Sequence, residues 1–134
     1  MNLVDYDNRN AINFYIENGL EFDENKDFFG NNVKSFAIIE NEKIIGAFSI
    51  SIYKNKSFIE ALAIDIEYRK KKYGKLLVKE AIKRLKKPIY TISKADEFYL
   101  KNGFIYDNED LIDKECKTCD KYNISCFPKV VVYK

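Results

Sequence analysis

The spacing of apolar residues changes from that of a strand to that of a helix within residues 58–85. An apolar run over residues 58–64, interrupted only by Glu60, is typical of a buried strand. A basic turn follows, and beyond Gly74 one apolar stripe recurs at helical spacing: Leu77, Val78, Ala81, Ile82 and Leu85. Pro88 ends this helix, because the residue before a proline is pushed out of the α region. The segment therefore predicts a strand, a basic turn and an amphipathic helix.

Shorter patterns predict the other elements. The predicted strands are residues 3–7, 35–40, 43–53, 58–64, 89–92, 104–106 and 128–133. Asn8 is the predicted N-cap of a first helix, and Asp96 caps a short helix that ends at Gly103. Gly46, inside a strand, indicates a bulge or a close backbone approach. The order β–α–β–β–β–α–β–α–β–β predicts a mixed sheet flanked by helices.

Length and composition indicate a single domain over residues 1–134, with the cysteine-containing segment 108–134 as part of it. Hydrophobic residues make up 46% of the chain, which is enough for a core. No apolar run approaches the roughly 18–20 residues that a membrane span needs. The first residues lack the basic start and apolar stretch of a secretory signal, so we expect a cytoplasmic protein without membrane contact.

The net charge is only +2, but basic residues concentrate in and beyond the predicted turn. Ten lie between positions 69 and 87: Arg69, Lys70, Lys71, Lys72, Lys75, Lys79, Lys83, Arg84, Lys86 and Lys87. A helix N-terminus presents unpaired N–H groups and the positive end of the helix dipole, so the turn predicts an anion site, with phosphate as the expected anion. Aromatic residues do not alternate with these cations, which argues against nucleic acid as the partner. A solvated helix face explains the lysines farther along the helix without any ligand.

Two segments resemble the GNAT superfamily of N-acetyltransferases. Residues 69–74, RKKKYG, are similar to the Q/R-x-x-G-x-G/A turn that wraps the pyrophosphate of acetyl-CoA in that family, with Lys72 where the first glycine usually stands. Residues 95–104, ADEFYLKNGF, are similar to the family's A-x-x-F-Y-x-x-x-G-F segment. The resemblance implies an α/β (α+β) fold: a mixed, mostly antiparallel sheet of about six to seven strands flanked by three to four helices. It places the acyl-CoA site at a splay between central strands.

The resemblance also implies a set of cofactor-binding residues. The pantetheine arm of acetyl-CoA would lie along Leu62, Ala63 and Ile64 as an additional strand would. The pyrophosphate would accept hydrogen bonds from the turn amides of Lys70, Lys71, Lys72, Tyr73, Gly74 and Lys75. Lys72 donates its amide there if its φ is negative. Arg69 either contacts a phosphate or braces the turn.

The reaction implied is direct acetyl transfer to an amine, without a covalent acyl-enzyme and without a metal. The chain has no histidine, so another group must act as base. The resemblance assigns Tyr99 as the acid that protonates the leaving thiolate, and simple packing in its helix is the alternative. Glu60 is the candidate base, because it shares strand parity with Phe58, Leu62 and Ile64. A glutamate that only reaches solvent, with water relays as the base, is the competing interpretation.

Three cysteines, Cys116, Cys119 and Cys126, have the spacing C-x2-C-x6-C. A structural zinc takes four ligands, and the chain supplies neither a histidine nor a fourth cysteine. Free thiols, a metal site completed by carboxylates or a second chain, and redox or intermolecular pairing all stay open. We expect no metal requirement.

The acceptor amine, and the choice between monomer and homodimer, are not fixed by these patterns. An acidic segment before Gly30 is consistent with a cationic amine acceptor, although such loops are commonly just solvated. Two other classes of function compete. One is an acyl-CoA-binding module without turnover, and the other is a small cysteine-based domain that binds metal or nucleic acid.

Overall fold

One mixed sheet organises the computed structural model, which describes residues 3–20, 32–69, 72–93, 95–107 and 129–134. Seven strands form within these residues: β1 Leu3–Tyr6, β2 Val33–Glu40, β3 Lys43–Tyr53, β4 Lys56–Ile64, β5 Ile89–Ser93, β6 Ile105–Tyr106 and β7 Lys129–Tyr133. The α-helices of the same residues are α1 Asn8–Glu17, α2 Tyr73–Lys83 and α3 Asp96–Leu100. The predicted order of elements is confirmed, and the α/β fold with a mostly antiparallel sheet is as expected.

The strands lie in the order β1-β2-β3-β4-β5-β7-β6. Every neighbouring pair is antiparallel except β4 and β5, which run parallel and pair only at Ser57–Ile89 and Phe58–Tyr90. The helix that connects these two strands is α2, as parallel pairing requires a crossover. The sheet therefore separates at its centre, between β4 and β5.

The helices divide between the two faces of the sheet. On the face that we call the α2 face, α2 and α3 bury a cluster that includes Phe48, Ile59, Leu77, Tyr99 and Val131. On the opposite face, the α1 face, helix α1 packs against four alanines of the sheet, Ala37, Ala47, Ala61 and Ala63. Such small side chains allow α1 to approach the backbone of β2, β3 and β4 closely.

Two tight hairpins join β2 to β3 and β3 to β4. Asn41 and Glu42 in the first, and Lys54 and Asn55 in the second, all have positive φ between 50° and 64°. Positive φ at both central residues defines a type I′ turn, whose twist matches that of the strands it connects. The predicted hairpin around residues 41–42 is confirmed, although glycine occupies neither turn.

Two predicted helix caps are wrong. Asp7, not Asn8, caps α1, because its side chain accepts a hydrogen bond from the N–H of Asn10. Asn8 lies inside the helix, and its side chain instead bonds Val33 and Ser35 of β2. Likewise Ala95, not Asp96, is the N-cap of α3, and it provides no side-chain cap. In both cases the cap lies one residue earlier than the pattern indicated.

None of the helices in the described residues has the length and apolar character that a membrane span requires.

Gly46 fulfils both parts of its prediction. The register of β2 and β3 shifts next to it, leaving Ile45 as an extra residue. A Cβ on Gly46 would lie 2.8 Å from the Cδ1 atoms of Ile64 and Leu77. The missing side chain thus lets β3, β4 and α2 meet at the centre of the core.

We expect Gly46→Val to lower the free energy of unfolding by roughly 1–3 kcal/mol, because the added methyl groups overpack this contact. Urea denaturation followed by circular dichroism measures the change. Ile52→Val, in the same strand but 57% exposed, is the control and should stay within about 0.5 kcal/mol of the wild type. An unchanged midpoint for Gly46→Val would contradict the close packing described.

Candidate active site

The separation of β4 from β5 leaves part of the β4 backbone edge without a partner strand. Beyond Phe58, no strand in the described residues pairs with β4 on this side. The carbonyl of Ile59 accepts instead from the hydroxyl of Thr91 at 2.9 Å, and the carbonyl of Ile64 accepts from Nε of Arg69 at 3.2 Å. Asp65, one residue farther, donates its N–H to Ile45 of β3, so the backbone of Ile64 faces away from β3. Because these directions alternate along a strand, Leu62 also turns its N–H and C=O towards the gap.

A bulge in β4 determines which face Glu60 occupies. Ser49 pairs with Ala61 but Ile50 pairs with Ile59, so Glu60 is the extra residue. Its carboxylate accepts a hydrogen bond from Ser51 of β3 at 2.5 Å, on the α1 face. The expectation that Glu60 shares a face with Leu62 and Ile64 is therefore wrong. The bulge reverses the alternation, and both of those residues pack on the α2 face.

Lys72 adopts a left-handed conformation at the start of α2. Its φ is +64° and its ψ is 13°, and it is the N-cap of the helix. This conformation favours glycine, which accounts for the glycine of the related motif at this position. The condition of a negative φ at Lys72 is thus not met, so its amide points differently from that of an extended residue.

The N-terminus of α2 carries no side-chain cap. Lys72 makes no capping hydrogen bond, and no acidic residue lies in the first turn. The first amides of the helix, at Tyr73, Gly74 and Lys75, therefore belong to the set that normally needs an external acceptor. An anion such as a phosphate fits this arrangement of amides and lysines chemically.

Gly74 is needed for packing. A Cβ there would lie 2.9 Å from Cε1 of Phe98 in α3. The two segments that resemble the family motifs thus contact each other, and the tight contact holds α3 against the first turn of α2. Tyr73 beside it packs edge-on against Tyr68, with ring centroids 6.0 Å apart. Lys75 is exposed.

Arg69 braces the turn. In addition to its bond to Ile64, its guanidinium donates to the backbone carbonyl of Asn18 at 2.6 Å. Asn18 ends α1 and is only 7% exposed, and its side chain accepts the N–H of Ile66 at 3.2 Å. These bonds tie the end of α1 to the loop between β4 and α2. Asn18 was not among the predicted residues, and the only signal for it was its place before Gly19.

Tyr99 lies at the point where β4 and β5 separate. It is 4% exposed and packs edge-on against Phe98 and Phe104, each ring centroid 5.2 Å away. Its hydroxyl forms a hydrogen bond with that of Thr91. Burial raises the pKa of Tyr99 to about 12, and the bond to Thr91 offsets part of this rise. The phenol therefore keeps its proton at all ordinary pH values.

A second buried phenol, Tyr15, approaches from the α1 face. Its hydroxyl lies 2.7 Å from that of Ser49, which lies 2.7 Å from the hydroxyl of Ser35. Ser35 donates to Asn8, so the protons of Ser49 and Tyr15 each point along the chain towards Ser35. Burial also raises the pKa of Tyr15. The far end of this chain of hydroxyls opens on a cavity of about 360 Å³. The cavity is lined by Asp5, Tyr6, Asn8, Val33, Lys34, Ser35 and Phe36, and none of these is a predicted site residue.

Some predicted residues lie outside the described part of the chain. They are Lys70, Lys71, Cys116, Cys119 and Cys126. Of the predicted cofactor and catalytic residues that are described, the structure gathers Tyr99 and β4 around the splay, with the start of α2 beyond the end of β4. Glu60 lies on the same stretch of β4 but turns its side chain to the α1 face.

The family model described as "Acetyltransferase (GNAT) family" matches residues 16–104. More than half of the chain is matched, so this protein belongs to the GNAT acetyltransferase family. The match contains the splay, the basic turn and α3. No curated protein matches the chain.

Solved structures of acetyltransferases share the fold. The Bacillus subtilis acetyltransferase in complex with CoA is 17% identical, over 93% of this chain and 82% of that one, with a TM-score of 0.62. The ribosomal-protein-S18-alanine N-acetyltransferase from Escherichia coli is 12% identical, covering 98% and 90%, with a TM-score of 0.64. PaiA N-acetyltransferase from Thermoplasma acidophilum, in complex with coenzyme A, is 24% identical, covering 77% and 61%, with a TM-score of 0.57.

We expect Lys72→Gly to raise the free energy of unfolding by roughly 0.5–1 kcal/mol, because glycine adopts the left-handed conformation without a steric cost. Thermal unfolding measures the change. Lys79→Gly, an exposed position in the middle of α2, removes the same charge and should destabilise by roughly 1 kcal/mol. Equal destabilisation by both substitutions would contradict the left-handed geometry.

The raised pKa of Tyr99 predicts a loss of stability at alkaline pH. Between pH 10 and about pH 12 the unfolded phenol is ionised while the folded one is protonated, so this residue lowers the free energy of unfolding by about 1.4 kcal/mol per pH unit. Its contribution is complete below pH 10. Tyr99→Phe should therefore flatten the slope by that amount in denaturant titrations across this range. Tyr53→Phe, which removes an exposed phenol, is the control and should leave the slope as in the wild type. An identical slope in the wild type and Tyr99→Phe would refute the prediction.

Proposed function

We propose that the protein is an N-acetyltransferase that transfers the acetyl group of acetyl-CoA to an amine by direct attack, without a covalent acyl-enzyme. The observation that carries this proposal is the free edge of β4, which leads from Tyr99 to the loop before the uncapped N-terminus of α2. Acetyl-CoA has its groups in the same order, with the thioester at one end for Tyr99, an extended arm for the β4 edge and phosphates for the start of α2. Family membership supports acyl-CoA-dependent acetyl transfer, and the amine is the proposed acceptor.

Acetyl-CoA binds along two elements in this proposal. The backbone of Leu62, Ala63 and Ile64 bonds the pantetheine arm as a neighbouring strand would, chiefly through Leu62, which faces the gap. The amides of Lys70, Lys71, Tyr73, Gly74 and Lys75 hold the pyrophosphate, and the lysine side chains, that of Lys72 included, add positive charge. Arg69 contributes by bracing the turn, since it donates to Ile64 and Asn18.

Glu60 is the proposed base. Its side chain is exposed on the α1 face, and the bond from Ser51 holds the carboxylate next to the bulge. An ammonium group has no free electron pair, so the acceptor must lose a proton before it attacks. Glu60 takes that proton directly or through a water molecule. The acceptor accordingly approaches from the α1 face.

Tyr99 is the proposed acid, and the β4 backbone stabilises the oxyanion. A phenol that retains its proton can protonate a thiolate that is formed beside it. A β4 N–H that faces the gap can donate to the oxygen of the attacked carbonyl, an interaction worth on the order of 3 kcal/mol. Holding the amine and the thioester together contributes much of the remaining acceleration.

The wider proposal is a single-domain cytoplasmic enzyme over residues 1–134 that needs no metal and acts as a monomer or homodimer.

The exposed lysines of α2 repel cationic amines, which favours entry of the acceptor from a different face of the protein. The exposed lysines of α2 point away from Glu60 in this arrangement, because α2 covers the opposite face of the sheet.

We expect acetyl-CoA to bind in calorimetric titration with micromolar affinity, and the triple variant Lys70/Lys71/Lys72→Glu to abolish this binding. Reversing three charges at the pyrophosphate turn places carboxylates against phosphates. Lys79/Lys83/Lys86→Glu is a matched control, because it makes the same charge change at exposed positions of α2 and three residues beyond its end. It should weaken binding only slightly, and the difference should persist at 0.3 M salt.

Catalysis is then tested with an amine panel, by release of the CoA thiol. Glu60→Gln and Tyr99→Phe should leave acetyl-CoA binding intact and each lower kcat by about a hundredfold, in the range of general acid–base catalysis. Binding without turnover for any amine would instead favour a CoA-binding module. No binding at low salt would refute the acetyltransferase proposal.

A further inference from the structure

Thr91 connects the two strands of the splay to Tyr99. It lies in the middle of β5, is 2% exposed, and points to the α2 face, where its partner Val131 also packs. Its hydroxyl donates to the carbonyl of Ile59 and is hydrogen-bonded to the hydroxyl of Tyr99. One small polar side chain thus contacts both the proposed acid and the β4 backbone at Ile59, just beyond the last β4–β5 pair, which we call the apex of the splay.

The direction of these hydrogen bonds follows from a count of protons. A carbonyl can only accept, so the single proton of the Thr91 hydroxyl goes to Ile59. The Tyr99 hydroxyl must therefore donate to the oxygen of Thr91. The bond orients the phenolic oxygen at the apex, where the β4–β5 pairing ends.

The same geometry allows a change of partner. If Tyr99 gives its proton to a thiolate, its oxygen becomes an anion in a buried place. Rotation about the Cβ–Oγ1 bond turns the Thr91 proton from Ile59 to that oxygen without moving the backbone. A buried phenolate without a donor would be strongly unfavourable, because the rings of Phe98 and Phe104 beside it offer none.

We propose that Thr91 is a positioning residue for Tyr99, which holds the phenol at the splay and then donates to the phenolate once the proton has been given away. The inference rests on the proposed function. In the step concerned, the bond between Tyr99 Oη and its proton breaks as a bond between that proton and the thiolate sulfur forms. Thr91 keeps its own proton throughout. The attacking nitrogen loses its second proton as the amide forms, and this proton passes through water to the phenolate. The proton that Glu60 removed from the ammonium is released to solvent.

A four-member mutant cycle tests the proposal: wild type, Thr91→Val, Tyr99→Phe and the double variant. With acetyl-CoA and an amine from the panel, Thr91→Val should lower kcat about tenfold or more, as expected for loss of a hydrogen bond to a charged group, and leave the KM for acetyl-CoA unchanged. In the Tyr99→Phe background the same substitution should have little effect. Thr91→Ser retains the hydroxyl and should recover most of the activity.

Independent effects of the two substitutions, or a change confined to KM, would overturn the proposal. Thr91 would then have only a structural role, as the hydrogen bond that joins β5 to the Ile59 carbonyl of β4. Equal losses for Thr91→Ser and Thr91→Val would do the same. Thermal unfolding of each variant separates a catalytic loss from unfolding. If Tyr99→Phe itself keeps full turnover, the assigned acid is wrong and the inference fails with it, although acetyl transfer stands.

A measurement without any acceptor amine tests the hydrogen bond itself. With labelled tyrosine, the hydroxyl proton of Tyr99 should give a slowly exchanging NMR signal, assigned by its absence in Tyr99→Phe. The signal should shift or exchange rapidly in Thr91→Val and persist in Thr91→Ser, and CoA should perturb it in the wild type. A signal identical in Thr91→Val and the wild type, or one that CoA leaves unchanged, would contradict the proposal. Failure of CoA to bind at all would instead refute the proposed function.

Discussion

The early end of the pairing between β4 and β5 is the constraint on which the site depends. Two residue pairs join these strands, and beyond them the β4 backbone needs other partners. Side chains provide them at both limits of the gap, Thr91 at Ile59 and Arg69 at Ile64. Between these limits lies Leu62, the residue whose backbone groups face the gap. A buried edge of this kind is normally costly, so its persistence in the fold is consistent with a ligand that completes the sheet.

The site also depends on the end of α1, which is distant in the chain. Asn18 and Arg69 are separated by 51 residues, yet a 2.6 Å hydrogen bond joins them. Through this bond the end of α1 is attached to Arg69, where the basic segment begins. The position of Arg69 thus depends on the packing of α1 on the alanines of the sheet as well as on its own bond to Ile64.

Much of the fold could be predicted because its signals are local. The apolar stripe of α2, the alternation of β3 and the order of elements all follow from spacing that the backbone imposes directly. The cap at Asp7 was missed by one residue, because the neighbouring Asn8 is also a residue type that caps helices. The cap at Ala95 was missed because an alanine carries no capping side chain. The face of Glu60 was missed for a different reason. A bulge is a property of two paired strands, and nothing within residues 58–64 indicates which residue is the extra one.

The site was predicted in part for the same reason. Tyr99, Gly74 and the turn lie in two short segments with recognisable residues at fixed spacing. The partners that support them carry no such signal. Thr91 is a threonine between apolar residues of β5, Ser51 is one of two serines in β3, and Asn18 is an asparagine at a helix end. Their contributions arise only when distant segments are brought together.

The bulge at Glu60 has a consequence for comparing this chain with its relatives. Odd-numbered residues of β4 face α2 at Ile59 but face α1 at Ala61 and Ala63. An ungapped alignment through this strand equates residues on opposite faces whenever the other protein carries its extra residue elsewhere. Equivalent positions in β4 should therefore be assigned from the register with β3, and sequence identity in this strand understates how similar the two surfaces are.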